Sequence, residues 1–308
     1  MGNNPKITIT IVNYNGFKET IDCLKSLKKI DYSNFDVIVI ENGSGNESFS
    51  ELQKYINVEK IVNIRLIKSI KNLGFAGGHN LAIKEAKDSD YYFLLNPDTK
   101  LEPDCLAKLV EVAEDKKYND KKIGFLGPRI FYEDKKTVYS NGGHINRTLT
   151  KATLKDHNKN KDDLIEKDPF ETDYITGTAL LISKAVLDEV GLMEEKYFLY
   201  YEDSDWSLSV SKKGYIHLIV PEAVLYHKGY HSTEYLSFDY IYYLTRNGYY
   251  LAWWNGGFFK KVFVSCLSFY KLVKQPLKLF IPSKRKWIKP IIKATADFWK
   301  GKSGKIQL

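Results

Sequence analysis

Cysteine is scarce in this chain. Cys23, Cys105 and Cys266 are the three in 308 residues, widely spaced and odd in number. With no C-x-x-C pair, neither a disulfide framework nor a zinc knuckle is expected, and a reducing compartment is the simplest setting. No run of 18 apolar residues occurs, so a membrane-spanning helix is not expected. The opening Met1-Gly2-Asn3-Asn4-Pro5-Lys6 lacks the shape of a signal peptide. Neither G-x-G-x-x-G nor G-x-x-x-x-G-K-[ST] is present, which removes the dinucleotide fingerprint and the P-loop. Acids are nearly missing from one region. Tyr235 to Leu308 holds 14 Lys and Arg against Asp239 and Asp297, a net of +12 within a total of +8, which leaves the first 234 residues at −4. A mildly acidic body joined to a basic tail argues against nucleic acid as the partner.

What is present is ordinary in bulk, at 44% hydrophobic and 27% charged, but rich in aromatics, with 22 Tyr, 16 Phe and 5 Trp. The first half alternates short apolar runs with helical spacing. Ile7 to Val12, Phe35 to Ile40, Ile64 to Ile67, Tyr91 to Leu95 and Ile123 to Leu126 read as strands. Phe17 to Leu27, Leu81 to Ala86 and Asp104 to Glu114 read as helices. This alternation predicts an α/β fold, a mostly parallel sheet with helices on both faces. Ligands of such sheets bind beyond the carboxyl ends of the strands, where the polar loops Asn13–Gly16, Glu41–Gly45 and Asn96–Thr99 would converge. Residues 151–168 are polar and read as a mobile excursion. Tyr174 to Ile182 reads as a strand, followed by a helix that Gly191 stops. Asp203 or Ser204 is expected to cap the next helix, and Tyr215 to Val220 to form a further strand.

The chemistry concentrates in Tyr200-Tyr201-Glu202-Asp203-Ser204-Asp205-Trp206 and in His227. Three carboxylates in four positions beside aromatics repel one another, which raises a pKa and suits a general base. The same acids also suit the first turn of a helix. Asp98, in Leu95-Asn96-Pro97-Asp98-Thr99, follows a strand. It reads equally as a turn residue and as an oxygen ligand for Mg²⁺ or Mn²⁺. Imidazole is an acceptable ligand for Mn²⁺, so His227 is a candidate second ligand. Asn72-Leu73-Gly74-Phe75-Ala76-Gly77-Gly78-His79-Asn80 reads either as a loop that lets backbone N–H groups approach a phosphate or as a tight packing turn.

Taken in order, these segments resemble glycosyltransferase family 2, in its rhamnosyltransferase-like branch. The segments are Thr10-Ile11-Val12-Asn13-Tyr14-Asn15-Gly16, Glu41-Asn42-Gly43-Ser44, Asn72 to Gly78, Leu95-Asn96-Pro97-Asp98, Gly127-Pro128-Arg129-Ile130, Thr176 to Ile182, Phe198 to Asp205, and His227. The resemblance covers residues 6 to 250. It implies a GT-A fold and an inverting transfer from a nucleotide-diphosphate sugar, dTDP- or UDP-linked, to a glycan or lipid-linked acceptor. Val12, Tyr14 and Glu41 would hold the base and ribose, with Asn72 and Gly77 along the nucleotide. Asp98 would be the retained acid of the D-x-D motif and bind Mn²⁺ or Mg²⁺ with His227. Asp203 would be the catalytic base, with Glu202 and Trp206 orienting the acceptor. Three positions depart from the family pattern. Asn96 replaces the first acid of D-x-D, Glu41 stands where Asp is usual, and His79 stands where Asn is frequent.

The expected organisation is a catalytic domain over residues 1–234 and a helical extension over 235–308, broken by Pro276, Pro282 and Pro290. Lys interleaved with Phe, Leu and Trp in that extension predicts an anionic membrane surface as its partner, at the cytoplasmic face of the cell membrane. The alternative is a non-catalytic sugar-nucleotide or glycan-binding module on the same fold. A nucleotidyltransferase is disfavoured, since Ile11 to Gly16 offers one glycine and no Lys or Arg for a triphosphate.

Overall fold

The computed structural model describes residues 4–59, 63–118, 121–146, 151–229 and 237–306. In chain order the elements are β1 (Ile7–Asn13), α1 (Phe17–Leu27), β2 (Phe35–Asn42), α2 (Ser48–Val58), β3 (Ile64–Ser69), α3 (Gly74–Glu85), β4 (Tyr91–Leu95), β5 (Thr99–Leu101), α4 (Cys105–Glu114), β6 (Ile123–Tyr132), β7 (Val138–Ser140), β8 (Gly143–Asn146), β9 (Lys151–Leu154), β10 (Phe170–Thr172), β11 (Ala179–Ser183), α5 (Lys184–Val190), α6 (Glu202–Ser211), β12 (Ile216–His227), α7 (Phe238–Asn255), α8 (Phe258–Val273) and α9 (Ile288–Trp299).

The main sheet runs β10-β12-β6-β11-β4-β1-β2-β3, with β5 and β7 added at β12 and β6. β3, β2, β1 and β4 are mutually parallel, as are β6 and β12, and β11 lies antiparallel between the two groups. The expected mostly parallel α/β sheet is therefore present. Alternation within β1 explains its two-sided cover. Ile7, Ile9 and Ile11 enter the core beneath α1 and α4. Thr8 and Thr10 face the other way, where Thr10 Oγ1 lies 2.8 Å from His79 Nδ1 of α3. Helix α3 presses closely on the sheet: a Cβ on Gly78 would sit 2.7 Å from Val12 Cγ1. The glycines at 77 and 78 are thus inside a helix and serve packing, the second of the two readings of that segment.

Two expectations are corrected here. Residues 151–168 are not a mobile excursion. β9 pairs with β8, and Glu166 is tied down by Arg129 Nη2 to its carbonyl (2.8 Å) and Lys155 Nζ to its carboxylate (2.5 Å). The helix carrying the acid cluster is not capped by Asp203 or Ser204. It begins at Glu202, after Tyr201 in a left-handed conformation.

The expected domain boundary, after residue 234, lies outside the described residues. Beyond it, α7 packs along α9, burying Tyr242, Tyr243, Tyr249 and Tyr250. Pro276 and Pro282 open short 3-10 turns after α8, whereas Pro290 sits within the first turn of α9. No helix among the described residues is long and apolar enough to cross a membrane.

Candidate active site

A cavity of about 800 Å³ opens at the carboxyl ends of β1, β2 and β4. Those strands contribute Val12, Tyr14, Asn42, Asn96, Pro97 and Asp98 to its wall. Asn42 is the keystone of one side: its side-chain amide donates to the Gly74 carbonyl (3.1 Å) and lies 3.2 Å from Asn72 Oδ1, while its Oδ1 accepts from Leu73 N–H (3.0 Å). The loop before α3 is thereby fastened to the end of β2, and Asn72 and Gly74 line the cavity.

Asp98 and His227 are distant in sequence but meet through strand pairing. β5 runs antiparallel to the end of β12 with Thr99 opposite His227, and Lys228 N–H donates to the Asp98 carbonyl at 2.9 Å. Asp98 Oδ2 then lies 3.1 Å from His227 Nε2, both side chains being almost fully buried. His227 Nδ1 is also buried and has no hydrogen-bond partner among the described residues. The Tyr139 ring stands edge-on to the imidazole at 4.4 Å, and burial pushes its phenol up to about 12.

One carboxylate oxygen and one imidazole nitrogen at this separation fit two adjacent positions around a small divalent cation, since ligands at right angles with bonds of about 2.1 Å lie about 3 Å apart. No group of three or more His, Cys, Asp or Glu side chains that could hold a metal exists among the described residues. Asp98 and His227 could supply two ligands to a divalent ion, as in sites of the Mg²⁺ type, which substrate phosphates and water complete.

Asp203 occupies the first turn of α6 and faces the same cavity. Its Oδ2 accepts from Gly177 N–H (3.0 Å), and its Oδ1 from Ser204 N–H (2.6 Å) and Ser204 Oγ (3.1 Å). Residue 177 must be glycine for this approach, because a Cβ there would lie 2.6 Å from the Phe75 ring. Burial raises the Asp203 pKa, and the three donors partly oppose that rise. Glu202 is buried beside it, with Oε2 unpartnered among the described residues. Burial and the neighbouring Asp203 charge push Glu202 up to about 8. Burial thus holds Glu202 toward its protonated, donating form, beside an Asp203 whose three donors favour the carboxylate.

The backbone leading into α6 is strained. Phe198, Tyr200 and Tyr201 all have left-handed φ values, 67°, 67° and 75°. Each such non-glycine residue costs about 1–3 kcal/mol. Helix α7 holds the segment in place. Asn247 Nδ2 lies 2.9, 2.8 and 3.0 Å from the carbonyls of Tyr197, Leu199 and Tyr200. The fully buried Arg246 donates through Nη2 to the Tyr197 carbonyl, through Nη1 to Tyr242 Oη and through Nε to Asn247 Oδ1. Tyr242 in turn donates to Asp297 of α9 at 2.8 Å. The first turn of α7 lines the cavity with Ser237, Phe238 and Asp239, and Tyr243 follows one turn on. The extension thus completes the cleft.

The structure gathers Val12, Tyr14, Asn72, Asp98, Glu202, Asp203 and His227 around one cavity. Three expected site residues lie elsewhere. Glu41 is buried behind the loop, its Oε1 accepting from Ser44 N–H at 2.8 Å. Gly77 lies inside α3, where a Cβ would be 2.9 Å from Leu73 Cβ, and Gly74 takes the cavity position. Trp206 is a core residue, 4.8 Å from the Phe125 ring, with its indole N–H donating to the Gly191 carbonyl at 2.9 Å. It is not an acceptor platform, because α6 presents only its first turn to the cavity. Sequence reasoning missed Tyr139, Gly177 and Asn247 as parts of the site. Gly177 lay within the matched segment Thr176 to Ile182, and Asn247 with Arg246 formed a polar pair inside an aromatic helical run; Tyr139 carried no signal.

Comparison with known proteins agrees with this architecture. The glycosyl transferase family 2 profile matches residues 8–191. The chain is 24% identical over 65% of its length to the low-salt glycan biosynthesis hexosyltransferase Agl10 of Haloferax volcanii, covering 60% of that protein. It is 25% identical over 68% of its length to the N-acetylglucosaminyl-diphospho-decaprenol L-rhamnosyltransferase of Mycobacterium tuberculosis, covering 72% of it. The chain therefore spans under two thirds of the first of these relatives and nearly three quarters of the second. The fold superimposes on the mannosyltransferase PcManGT from Pyrobaculum calidifontis, solved with GDP-Man and Mn²⁺, with a TM-score of 0.59 at 14% identity, covering 97% of this chain and 88% of that one. With the family model matched over more than half of its length and a GT-A architecture, this chain belongs to glycosyl transferase family 2.

Proposed function

We propose that the protein transfers a sugar, rhamnose in the leading case, from a nucleotide-diphosphate donor to a hydroxyl of a lipid-linked or polysaccharide acceptor, inverting the anomeric centre. The observation that carries this reading is the Asp203 carboxylate, held by Gly177 and Ser204 in the same cavity as the Asp98–His227 pair. Asp203 takes the proton of the acceptor hydroxyl as its oxygen bonds to the anomeric carbon, and the bond from that carbon to the donor phosphate breaks with its electron pair going to the leaving diphosphate. Glu202, protonated at neutral pH, donates a hydrogen bond that orients the acceptor. Val12, Tyr14 and Asn72 line the nucleotide side. Asp98 and His227 would hold Mn²⁺ or Mg²⁺, which supplies charge neutralisation for the leaving group when bound.

The test is binding and turnover across dTDP-, UDP- and GDP-sugars with Mn²⁺, Mg²⁺ or EDTA. One donor is expected to bind and turn over only with a divalent cation, and His227→Ala is expected to raise the Mn²⁺ concentration needed for half-maximal rate by at least about 10–100-fold, the range for outer-shell partners being a floor for loss of a direct ligand. Full activity in EDTA would remove the metal from the mechanism. Failure to bind any donor would favour a non-catalytic glycan-binding module.

The same reading places the enzyme on an anionic membrane surface at its cytoplasmic face. Supporting this, α8 and the turns after it expose Phe258, Phe259, Phe269, Leu277, Leu279 and Phe280, next to the exposed Lys284, Arg285, Lys286 and Lys289. Apolar side chains flanked by unopposed lysines are the signature of interfacial binding. Not every lysine of the region contributes: Lys271 is turned inward, 4.9 Å from the Tyr249 ring. Replacing Lys284, Lys286 and Lys289 by Gln is expected to weaken binding to phosphatidylserine vesicles by about 100-fold, at ~1 kcal/mol per charge. Unchanged co-sedimentation would refute the membrane site.

A further inference from the structure

We propose that the segment Gly301–Ile306 is a strap that closes one wall of the cleft and that Lys305 binds a diphosphate there; the inference rests on the transferase reading of the cavity. After α9 the chain reverses through Gly301 (φ 68°) and Gly304 (φ 73°), left-handed positions with open space around them, so glycine is needed for direction and not for packing. The return path is pinned at four points. Lys302 N–H donates to the Asp297 carbonyl (2.8 Å), and Tyr250 Oη to the Lys302 carbonyl (2.9 Å). Gly304 N–H donates to the Lys196 carbonyl (2.6 Å), and Ile306 N–H to Tyr243 Oη (2.8 Å). The strap is therefore fastened to α7, to α9 and to the turn before the strained catalytic segment.

This path brings Lys305 and Ile306 into the cavity lining. The Lys305 ammonium lies 6.0 Å from the centre of the Phe198 ring, and the Phe198 carbonyl accepts from Phe75 N–H at the start of α3 (2.9 Å). The strap thus stands beside the glycine loop. The charge balance of the cavity gives Lys305 its meaning. The acids that line it are Glu19, paired with Lys228 Nζ at 3.1 Å, Glu202, held toward its protonated form by burial, and Asp98, Asp203 and Asp239; Lys305 is the sole Lys or Arg among the described residues that line it. A divalent cation held by Asp98 and His227 would not by itself offset a diphosphate in a cavity that Asp203 and Asp239 also line. A flexible ammonium on the strap supplies positive charge to the same cavity.

The reaction offers two diphosphates, that of the nucleotide donor and that of a lipid-linked acceptor, and the same ammonium would serve either. Lys305 is exposed, so Lys305→Gln and Lys305→Arg are expected to fold as the wild type does. Calorimetry with inorganic pyrophosphate and Mn²⁺ needs no turnover. Lys305→Gln is expected to bind pyrophosphate about ten-fold more weakly, as for loss of one charged contact, with Lys305→Arg near wild type. Steady-state kinetics with a prenyl-diphosphate-linked sugar and with the same sugar as an alkyl glycoside then separate the sources. A donor KM raised with both acceptors assigns Lys305 to the donor. An acceptor KM raised only for the diphosphate-linked sugar assigns it to the acceptor. Unchanged pyrophosphate binding in Lys305→Gln overturns the proposal. Weakened pyrophosphate binding in an enzyme that turns over no donor overturns the transferase reading and leaves the strap standing.

Discussion

Asp203→Asn is expected to lower kcat by about 10²–10⁴-fold, the range for loss of a general base, while leaving donor affinity within a few-fold of wild type. The amide keeps the size of the carboxylate but not its acceptor pattern. One of the two donors, Gly177 N–H or Ser204 N–H, must then face an NH₂ group. That mismatch costs about 1–3 kcal/mol of stability, so the variant should fold with a lowered melting temperature. The pH profile of the wild type gives an independent check. Asp203 acts when ionised, and burial raises its pKa. The rate should therefore fall, as pH drops, at a point above the ordinary carboxylate value near 4. At the other end, Glu202 ionises near pH 8. Its folded-state pKa is raised above the unfolded value, so the stability linked to its protonation is complete below the unfolded value and is lost as pH rises through about 8. An Asp203→Asn enzyme with wild-type kcat would remove Asp203 from the chemistry.

The second large effect is expected far from any reacting atom. Asn247→Leu should destabilise the fold by about 2–4 kcal/mol and reduce kcat by at least an order of magnitude, because the carbonyls of Leu199 and Tyr200 lose the Asn247 amide and that of Tyr197 is left to Arg246. The three left-handed aromatic residues Phe198, Tyr200 and Tyr201 store strain of the same order, and the Asn247 and Arg246 hydrogen bonds offset it. Once the Asn247 bonds are gone, the segment relaxes toward ordinary φ values. Glu202 and Asp203 follow directly on it, so the Gly177–Asp203 hydrogen bond is lost. Differential scanning calorimetry and kcat/KM, measured on the same preparation, test this coupling. A folded Asn247→Leu protein with lowered stability but wild-type kcat would show that Asn247 supports the fold without positioning the base.

The sequence alone determined the α/β class, the strands β1 to β4 and the loops that carry Tyr14, Asn72 and Asp98, but not the short strands β5 and β7 to β10, and it began β11 five residues early at Tyr174. These are local features: period-two and helical apolar patterns, and turn residues at strand ends, are written within a few residues of where they act. It also singled out Glu202 and Asp203, because carboxylates clustered among aromatics need a reason, and His227 at a strand end, as candidate positions. The tertiary structure alone decided which of them meet. Asp98 reaches His227 through the register of β5 against β12, and Asp203 reaches Gly177 because glycine at 177 lets the loop pass under Phe75. Trp206 looked like an acceptor contact in the sequence and proved to be core, since neighbours three apart on α6 separate into a cavity turn and a buried turn. The basic extension read as an anchor in sequence, yet α7 and the Gly301–Ile306 strap turn back to build the cleft. Pairings between distant segments are set by how whole elements pack, and side-chain identity along one stretch carries no record of what the fold will bring against it.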